Sequence, residues 1–239
     1  MKIIINPQYE YLREWLCELP DTFSESGTVL YQARNEVRRI VAPQGLAVCA
    51  KRYRQPALPN RIIYTFFRKS KAERAYNNAF LLLSKDIPTP EPIAYIEERK
   101  GGLLSTSYLV TVFCPYTHNF YEFRQHSVGG YENVVTALAL LAADMHEQGI
   151  LHKDFSPGNI LFEHSNEKVN LTVVDINRML FGSKAVSLKE GCQNFARLWG
   201  DDDFFTLLAK RYAQAREADE NECIRLTIKY RDIFWRNRQ

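Results

Sequence analysis

The stretch LHKDFSPGNILF, residues 151–162, sets a His, an Asp and an Asn in the order His152-x-Asp154-x4-Asn159 between apolar flanks. Asp and Asn around Ser156-Pro157-Gly158 are the residue types that form tight turns, so one reading is a polar connection between two pieces of core. The other is that a carboxylate and an amide stand at fixed spacing because they do chemistry. The surroundings decide between the two. Upstream, Tyr131 to Glu147 places Val134, Leu138, Leu141 and Met145 on one helical face and ends at Gly149. Downstream, Ile160 to Glu163 and Val169 to Val174 are β-prone and joined by His164 to Lys168, which predicts a hairpin that delivers Asp175 at its far end. A turn alone requires neither the helix before nor the carboxylate after.

Working outward, Gln8 to Leu19 has Tyr9, Leu12, Trp15 and Leu16 at helical spacing, with Pro20 expected to end the helix. Thr28 to Tyr31, Val37 to Ala42 and Leu46 to Tyr53 are short β-prone runs, the last two separated by Pro43-Gln44-Gly45, and read as an antiparallel meander. A helix starts at Ser70, where Ser70-x-x-Glu73 has capping-box form and Ala72, Tyr76, Ala79 and Leu83 make an apolar stripe. Pro88, Pro90 and Pro92 stop it. Ile93 to Glu97 and Ser107 to Phe113 flank the turn Lys100-Gly101-Gly102, and Cys114-Pro115-Tyr116 reads as a connector. Beyond Asp175 the pattern is helical: Ser187 to Trp199, opened by Ser187-x-x-Glu190, then Asp203 to Gln214 and Glu222 to Trp235. The expectation is an α+β chain, with a first half of five strands and one helix and a second half that is mainly helical.

With 239 residues, 46% of them hydrophobic and 25% charged, the chain can bury a full core. Its five cysteines are odd in number and scattered, which suggests neither a disulfide framework nor a zinc pair and points to a reducing cytoplasm. The apolar run at Ile3 to Ile5 is too short for a signal peptide, and Val134 to Met145 is about half the length of a membrane span. The net charge of +3 conceals a segment, Lys51 to Arg74, whose net charge is +7. That segment interleaves Ile62-Ile63-Tyr64 and Phe66-Phe67 with Arg61, Arg68 and Lys69, a composition suited to resting on an anionic membrane surface. No recognition motif for nucleic acid accompanies it.

Phosphoryl transfer from ATP asks a protein for a cation on the phosphates, carboxylate and amide oxygens for Mg²⁺, and an acceptor for the hydroxyl's proton. In protein kinases these are a strand Lys, a helix Glu that holds it, an Asp and an Asn in one loop, and an Asp after a hairpin. The sequence supplies candidates in that order. Lys51 closes LAVCAK, Glu73 lies on the next helix, Asp154 and Asn159 sit in HKDFSPGN, and Asp175 ends VNLTVVD.

These residues, with ARNEVRRI, SKAERAYNNAFLLLSKDIPTPEPIAYI, MHEQGILHKDFSPGNILF and VVDINRMLFG, resemble the lipopolysaccharide core kinase family, the Kdo and heptose kinases, from about Ala33 to about Leu198. The resemblance implies a two-lobed protein-kinase-like fold, with the small lobe to about residue 113, a hinge at about 112–118 and the large lobe beyond. It also implies ATP- and Mg²⁺-dependent phosphorylation of a sugar hydroxyl of the lipopolysaccharide inner core by a protein of the cytoplasmic face, peripheral at the inner membrane. On that basis Asp154 orients the acceptor hydroxyl and takes its proton, Asn159 and Asp175 hold Mg²⁺, and Lys51, with Glu73 behind it, contacts the α- and β-phosphates. Backbone groups around Val112 and Cys114 would meet adenine. Two positions depart from the protein-kinase pattern. Tyr31 to Arg39 lacks the glycines of a phosphate-covering loop, so either Arg34 and Asn35 substitute with side-chain contacts or nucleotide binds more weakly than in relatives. Ser156 stands where protein kinases carry a Lys, which favours a small-molecule or sugar acceptor over a protein, and the resemblance points to a sugar or lipid-linked oligosaccharide. Two further readings stay open here: an aminoglycoside-type kinase for a soluble small molecule, and a pseudokinase scaffold.

Overall fold

In the computed structural model, which describes residues 1–165 and 168–236, the chain divides into two compact units. The first comprises residues 1–84 and 90–115, the second residues 85–89 and 116–239.

The first unit is built on a six-stranded antiparallel sheet of order β1-β5-β6-β4-β3-β2. Its elements run β1 (Lys2–Ile5), α1 (Arg13–Thr22), β2 (Thr28–Gln32), β3 (Glu36–Val41), β4 (Ala47–Tyr53), α2 (Leu58–Phe66), α3 (Lys71–Leu83), β5 (Pro92–Lys100) and β6 (Leu103–Val112). Strands send alternate side chains to opposite faces, and here the two faces have different covers. Val48, Ala50, Ile40 and Val110 join Leu12, Leu16, Leu19 and Phe23 of the α1 region in one core. On the other face Tyr53 and Tyr95 pack with Ala72 and Tyr76 of α3. The Ser70 side chain accepts from the Glu73 N–H at 3.1 Å, the expected cap of α3.

Three expectations are corrected in this unit. Pro20 does not end α1, which runs on to Thr22. A Pro near a helix end forfeits one backbone bond, and burial of Leu19 and Phe23 on either side of it holds the last turn in place. Lys2–Ile5 forms an additional edge strand on β5. Residues 58–66 form a helix where only an interleaved basic segment was recognised.

The second unit contains β7 (His118–Asn119), α4 (Glu132–Glu147), β8 (Ile150–His152), β9 (Ile160–His164), β10 (Val169–Val173), β11 (Met179–Phe181), α5 (Leu188–Asn194), α6 (Asp202–Ala215) and α7 (Glu220–Arg236). One core gathers Val134, Leu138 and Ala142 of α4 with Phe155, Phe162, Phe195, Phe204, Leu208 and Tyr212. The expected hairpin is present, with Ile160 opposite Val173 and His164 opposite Val169; part of its connection, within the His164 to Lys168 segment, lies outside the described residues. A short ribbon pairs β8 with β11, placing Met179 opposite His152. The helix expected over Ser187 to Trp199 is shorter. Ser187 caps it as foreseen, but α5 ends at Asn194 and tightens into a 3-10 turn at Phe195–Arg197. Residues 85–89 belong to this unit because the Thr89 hydroxyl donates to the Val173 carbonyl, the Val173 N–H donates to the Pro88 carbonyl, and the Gln148 amide donates to the Lys85 carbonyl.

Candidate active site

In the second unit the loop after β8 and the open end of the β9–β10 hairpin are joined by His152. The side chain of His152 is fully buried. Its Nε2 lies 3.1 Å from the Val174 carbonyl, and its Nδ1 accepts the Asp154 N–H at 3.1 Å. Only the neutral ring with its proton on Nε2 satisfies both contacts. Burial pushes its pKa below the ordinary value and preserves that form. One imidazole thus ties the backbone of Asp154 to the residue that precedes Asp175.

Asn159 closes the loop from the other side. Its amide Nδ2 donates to the Asp154 carbonyl at 2.8 Å, and its own carbonyl accepts the Val174 N–H at 2.9 Å. Asp175 then adopts a left-handed backbone, φ 54° and ψ 43°, a conformation that an L-residue with a side chain occupies at a cost and that short polar residues tolerate best. The Asn177 amide donates to Asp175 Oδ1 at 2.7 Å. Asp154, Asn159 and Asp175 are therefore assembled by a continuous set of hydrogen bonds within one unit.

Two cations meet Asp154. Arg197, in the 3-10 turn after α5, donates to Asp154 Oδ1, and Arg178, in the 3-10 turn just before β11, lies 4.0 Å from Oδ2. Neither was singled out from sequence. Arg197 is 43 positions from its partner, and no local spacing announces such a contact. Beneath the loop runs a second line of polar groups that sequence reading also missed. The Asn194 amide donates to the His152 carbonyl at 3.0 Å, and its oxygen lies 3.3 Å from His146 Nε2. His146 Nδ1 lies 2.9 Å from the Tyr212 hydroxyl, which accepts from Arg216 at 2.6 Å. Because the guanidinium can only donate, the tyrosine proton points to His146. Burial lowers the His146 pKa to about 4, so the ring is neutral and every link in the line is satisfied.

In the first unit Lys51 lies on β4, on the same sheet face as Tyr53, its Nζ 5.2 Å from the centre of the Tyr53 ring. Because Tyr53 packs on Ala72 and Tyr76, this is the face that α3 covers. The Glu73 carboxylate on α3 has Lys2 Nζ at 3.6 Å and Lys69 Nζ at 3.7 Å. Arg34 and Asn35 occupy the β2–β3 turn, and Asn35 Oδ1 accepts the Arg54 N–H at 3.3 Å. Both residues line a groove of about 360 Å³ that also includes Glu36 and Arg52. Glu36 is a further residue that sequence reading passed over. Its buried carboxylate accepts from Arg38 at 2.6 Å and Arg52 at 2.5 Å. Burial alone would raise its pKa, but the two guanidinium bonds outweigh that and hold it below the usual carboxylate range. The Val112 N–H donates to the Glu91 carbonyl and the Phe113 N–H to the Ala47 carbonyl, anchoring the strand end that leads to Cys114.

A solved structure described as WaaP in complex with acyl carrier protein superposes with a TM-score of 0.64 over 99% of this chain and 98% of that one, at 17% identity, which establishes a shared kinase-like fold. The model of the lipopolysaccharide kinase (Kdo/WaaP) family matches residues 34–201, a span that contains Lys51, Glu73, Asp154, Asn159, Asp175 and Arg197. The chain belongs to the lipopolysaccharide kinase (Kdo/WaaP) family, phosphotransferases whose acceptor is a sugar hydroxyl.

Proposed function

We propose that this chain transfers the γ-phosphoryl group of ATP, with Mg²⁺, to a sugar hydroxyl of the lipopolysaccharide inner core. The observation that carries the reading is the His152 clamp, which fixes Asp154 and Asn159 against the strand end that bears Asp175. Asp154 orients the acceptor hydroxyl and takes its proton. Asn159 and Asp175 are the residues that would hold Mg²⁺. Their chemistry fits, since this ion is typically bound by one or two carboxylates completed by phosphate and water oxygens, and Asn159 has turned its Nδ2 toward Asp154, leaving the amide oxygen as the ligand end. When bound, the ion neutralises charge on the phosphates. Lys51, supported by Glu73, contacts the α- and β-phosphates, Arg34 and Asn35 cover the phosphates in place of glycines, and the backbone about Val112 and Cys114 receives adenine. Arg197 supplies beside Asp154 the positive charge that protein kinases carry at the position of Ser156, so that a triphosphate can approach a carboxylate.

Phosphate transfer to purified core oligosaccharide should vanish in Asp154→Ala, and stabilisation of the protein by ATP with Mg²⁺ should vanish in Asp175→Asn. Asn tolerates the left-handed backbone, so the second loss reports the missing charge. Transfer that survives Asp154→Ala unchanged would sink the assignment. A soluble aminoglycoside-type acceptor is favoured if such molecules are phosphorylated and the oligosaccharide is not. A scaffold is favoured if neither is.

The place of the reaction is read from α2. Arg61, Tyr64 and Thr65 form its inner side, with Arg61 donating to the carbonyls of Leu104 and Lys100 and Thr65 accepting the Leu104 N–H. Leu58, Ile62, Ile63 and Phe66 are 42–66% exposed and Phe67 is 82% exposed. The helix is thus mounted with its polar side inward, the reverse of the usual arrangement. Exposed Arg54, Arg68 and Lys69 flank the apolar side, and that combination is complementary to an anionic bilayer. No helix among the described residues is long and apolar enough to cross a membrane, so contact through α2 would be peripheral. Co-sedimentation with vesicles containing phosphatidylglycerol should be lost in Ile62→Glu/Phe66→Glu and weakened in Arg68→Glu/Lys69→Glu. Binding indifferent to both pairs refutes the membrane role. Loss of binding to the acyl carrier protein that accompanies WaaP in the solved structure, with vesicle binding intact, would assign the face to that partner instead.

A further inference from the structure

The groove of about 360 Å³ in the first unit opens on the sheet face opposite Lys51. Three of its residues, Glu36, Arg52 and Tyr108, stand side by side in the register of β3, β4 and β6. Their row lies on the α1 side, because the Arg52 guanidinium carbon is 4.7 Å from the centre of the Phe23 ring and Tyr108 meets that ring edge-on at 5.4 Å. Successive strand residues point to opposite faces, so Lys51, the neighbour of Arg52, is directed away from the groove. The β2–β3 turn adds Arg34 and Asn35 to the lining, and the segment that leads into α2 adds Arg54 and Gln55.

The polar groups of this groove are spent on one side only. Its acceptors are taken. Both Glu36 oxygens receive guanidinium bonds, from Arg38 and Arg52; Asn35 Oδ1 accepts the Arg54 N–H at 3.3 Å, and Gln55 Oε1 accepts from the Ser105 hydroxyl at 3.4 Å. Its donors are not. The exposed guanidiniums of Arg34 and Arg54 make no ion pair among the described residues, and the amide nitrogens of Asn35 and Gln55 donate to no protein acceptor among them. The guanidiniums of Arg34, Arg52 and Arg54 against the one carboxylate of Glu36 leave an excess of two positive charges. A phosphomonoester carries about −1.5 to −2 charge near pH 7 and three acceptor oxygens, which matches both the charge and the surplus of donors. A carboxylate brings half the charge and one oxygen fewer.

We infer that this groove is a phosphomonoester site, separate from the site of the ATP phosphates, with Arg54 as its main ligand and the Asn35 and Gln55 amides beside it. The inference goes beyond the kinase reading. Because Arg54 and Gln55 lead directly into α2, the phosphate can arrive on a lipid headgroup as well as on a soluble ester, and the two sources present the same group.

The test titrates the full chain with inorganic phosphate and with glycerol phosphate at constant ionic strength, read by calorimetry. Saturable binding is expected. Arg54→Ala should weaken it about 10- to 150-fold, the range of one charge-assisted hydrogen bond, and Arg54→Lys should restore part. Gln55→Glu, which sets a carboxylate among the donors, should weaken it too. Both side chains are exposed, so the variants should keep the parent's melting temperature and ATP KM. Vesicles in which phosphatidic acid replaces phosphatidylglycerol at matched surface charge separate the sources. A headgroup ligand gives a preference for phosphatidic acid that Arg54→Ala removes; a soluble ligand gives phosphate binding with no such preference, and either result upholds the site. Phosphate binding that is absent, or unchanged in both Arg54→Ala and Gln55→Glu, overturns it, as does phosphate that competes with ATP. Loss of transfer to every acceptor with phosphate binding intact would overturn the kinase reading and leave the groove standing.

Discussion

Gly191 sits in α5 where a helix ordinarily gains from alanine, by about 1 kcal/mol. Here Gly191→Ala should destabilise instead. A Cβ at this position would lie 2.0 Å from the Tyr212 hydroxyl oxygen, 2.9 Å from Cζ of the same ring and 3.0 Å from His146 Nδ1. The tyrosine is held by Arg216 and fully buried, so the methyl must push its hydroxyl away from His146. Overpacking costs about 1–3 kcal/mol, and leaving the buried imidazole nitrogen without its donor costs about 1–3 kcal/mol more. Set against the helix gain, the net loss is about 1–5 kcal/mol. Urea unfolding read by tryptophan emission measures it as a lowered midpoint at constant slope. The hydroxyl is the nearest obstacle, so Tyr212→Phe in the same chain should recover part of the loss, partial because Cζ remains close. That gives a non-additive double-mutant cycle. Phosphate transfer should fall in Gly191→Ala at temperatures where the protein is still folded, because His146 also positions Asn194 and, through it, the carbonyl of His152. A Gly191→Ala protein as stable as the parent, or a double mutant worse than the sum of its parts, would refute this account of the line of polar groups under the loop.

Other outcomes follow from the same geometry. Arg197→Ala should lower kcat on the order of a hundredfold with a smaller change in acceptor KM, and Arg197→Lys should recover part of kcat; equal loss in both, or none, would remove Arg197 from the reaction. Stability should decline with acidification from about pH 6.5 to about pH 4. The unfolded chain protonates His146 at the higher value and the folded chain only at the lower, so stability present above 6.5 is lost as pH falls, on the order of 3 kcal/mol in all. His146→Gln should flatten that slope in denaturation series across this window. Glu36→Ala, which strands Arg38 and Arg52 without their buried carboxylate, should cost about 3 kcal/mol by thermal or urea unfolding, and Glu36→Gln should cost less.

Periodicity and punctuation were enough to find most elements, because each is encoded within a dozen consecutive residues. The stripe on α4, the caps at Ser70 and Ser187 and the strands on either side of Asn159 are local facts. The same signals misplaced the ends of α1 and α5, where burial of Phe23 and the reach of Asn194 to His152 overrode them. α2 does carry a stripe at helical spacing, Leu58, Ile62, Ile63 and Phe66, but Pro56 and Pro59 at its start and the dense positive charge around it masked the helix.

For the site, the division has one physical cause. Asp154, Asn159 and Asp175 could be named from sequence because loop and hairpin are contiguous in the chain, and spacing alone keeps such groups near one another. Arg197, Asn194 and Tyr212 could not, since each reaches its partner across 42 to 66 positions and only the packing of α4, α5 and α6 around one core brings them there. The sequence by itself offered Asp154, Asn159 and Asp175 as candidates for the chemistry. Tertiary structure decided which charges surround Asp154 and what holds its loop still, because contacts between distant segments are set by how buried surfaces fit together and leave no periodic trace.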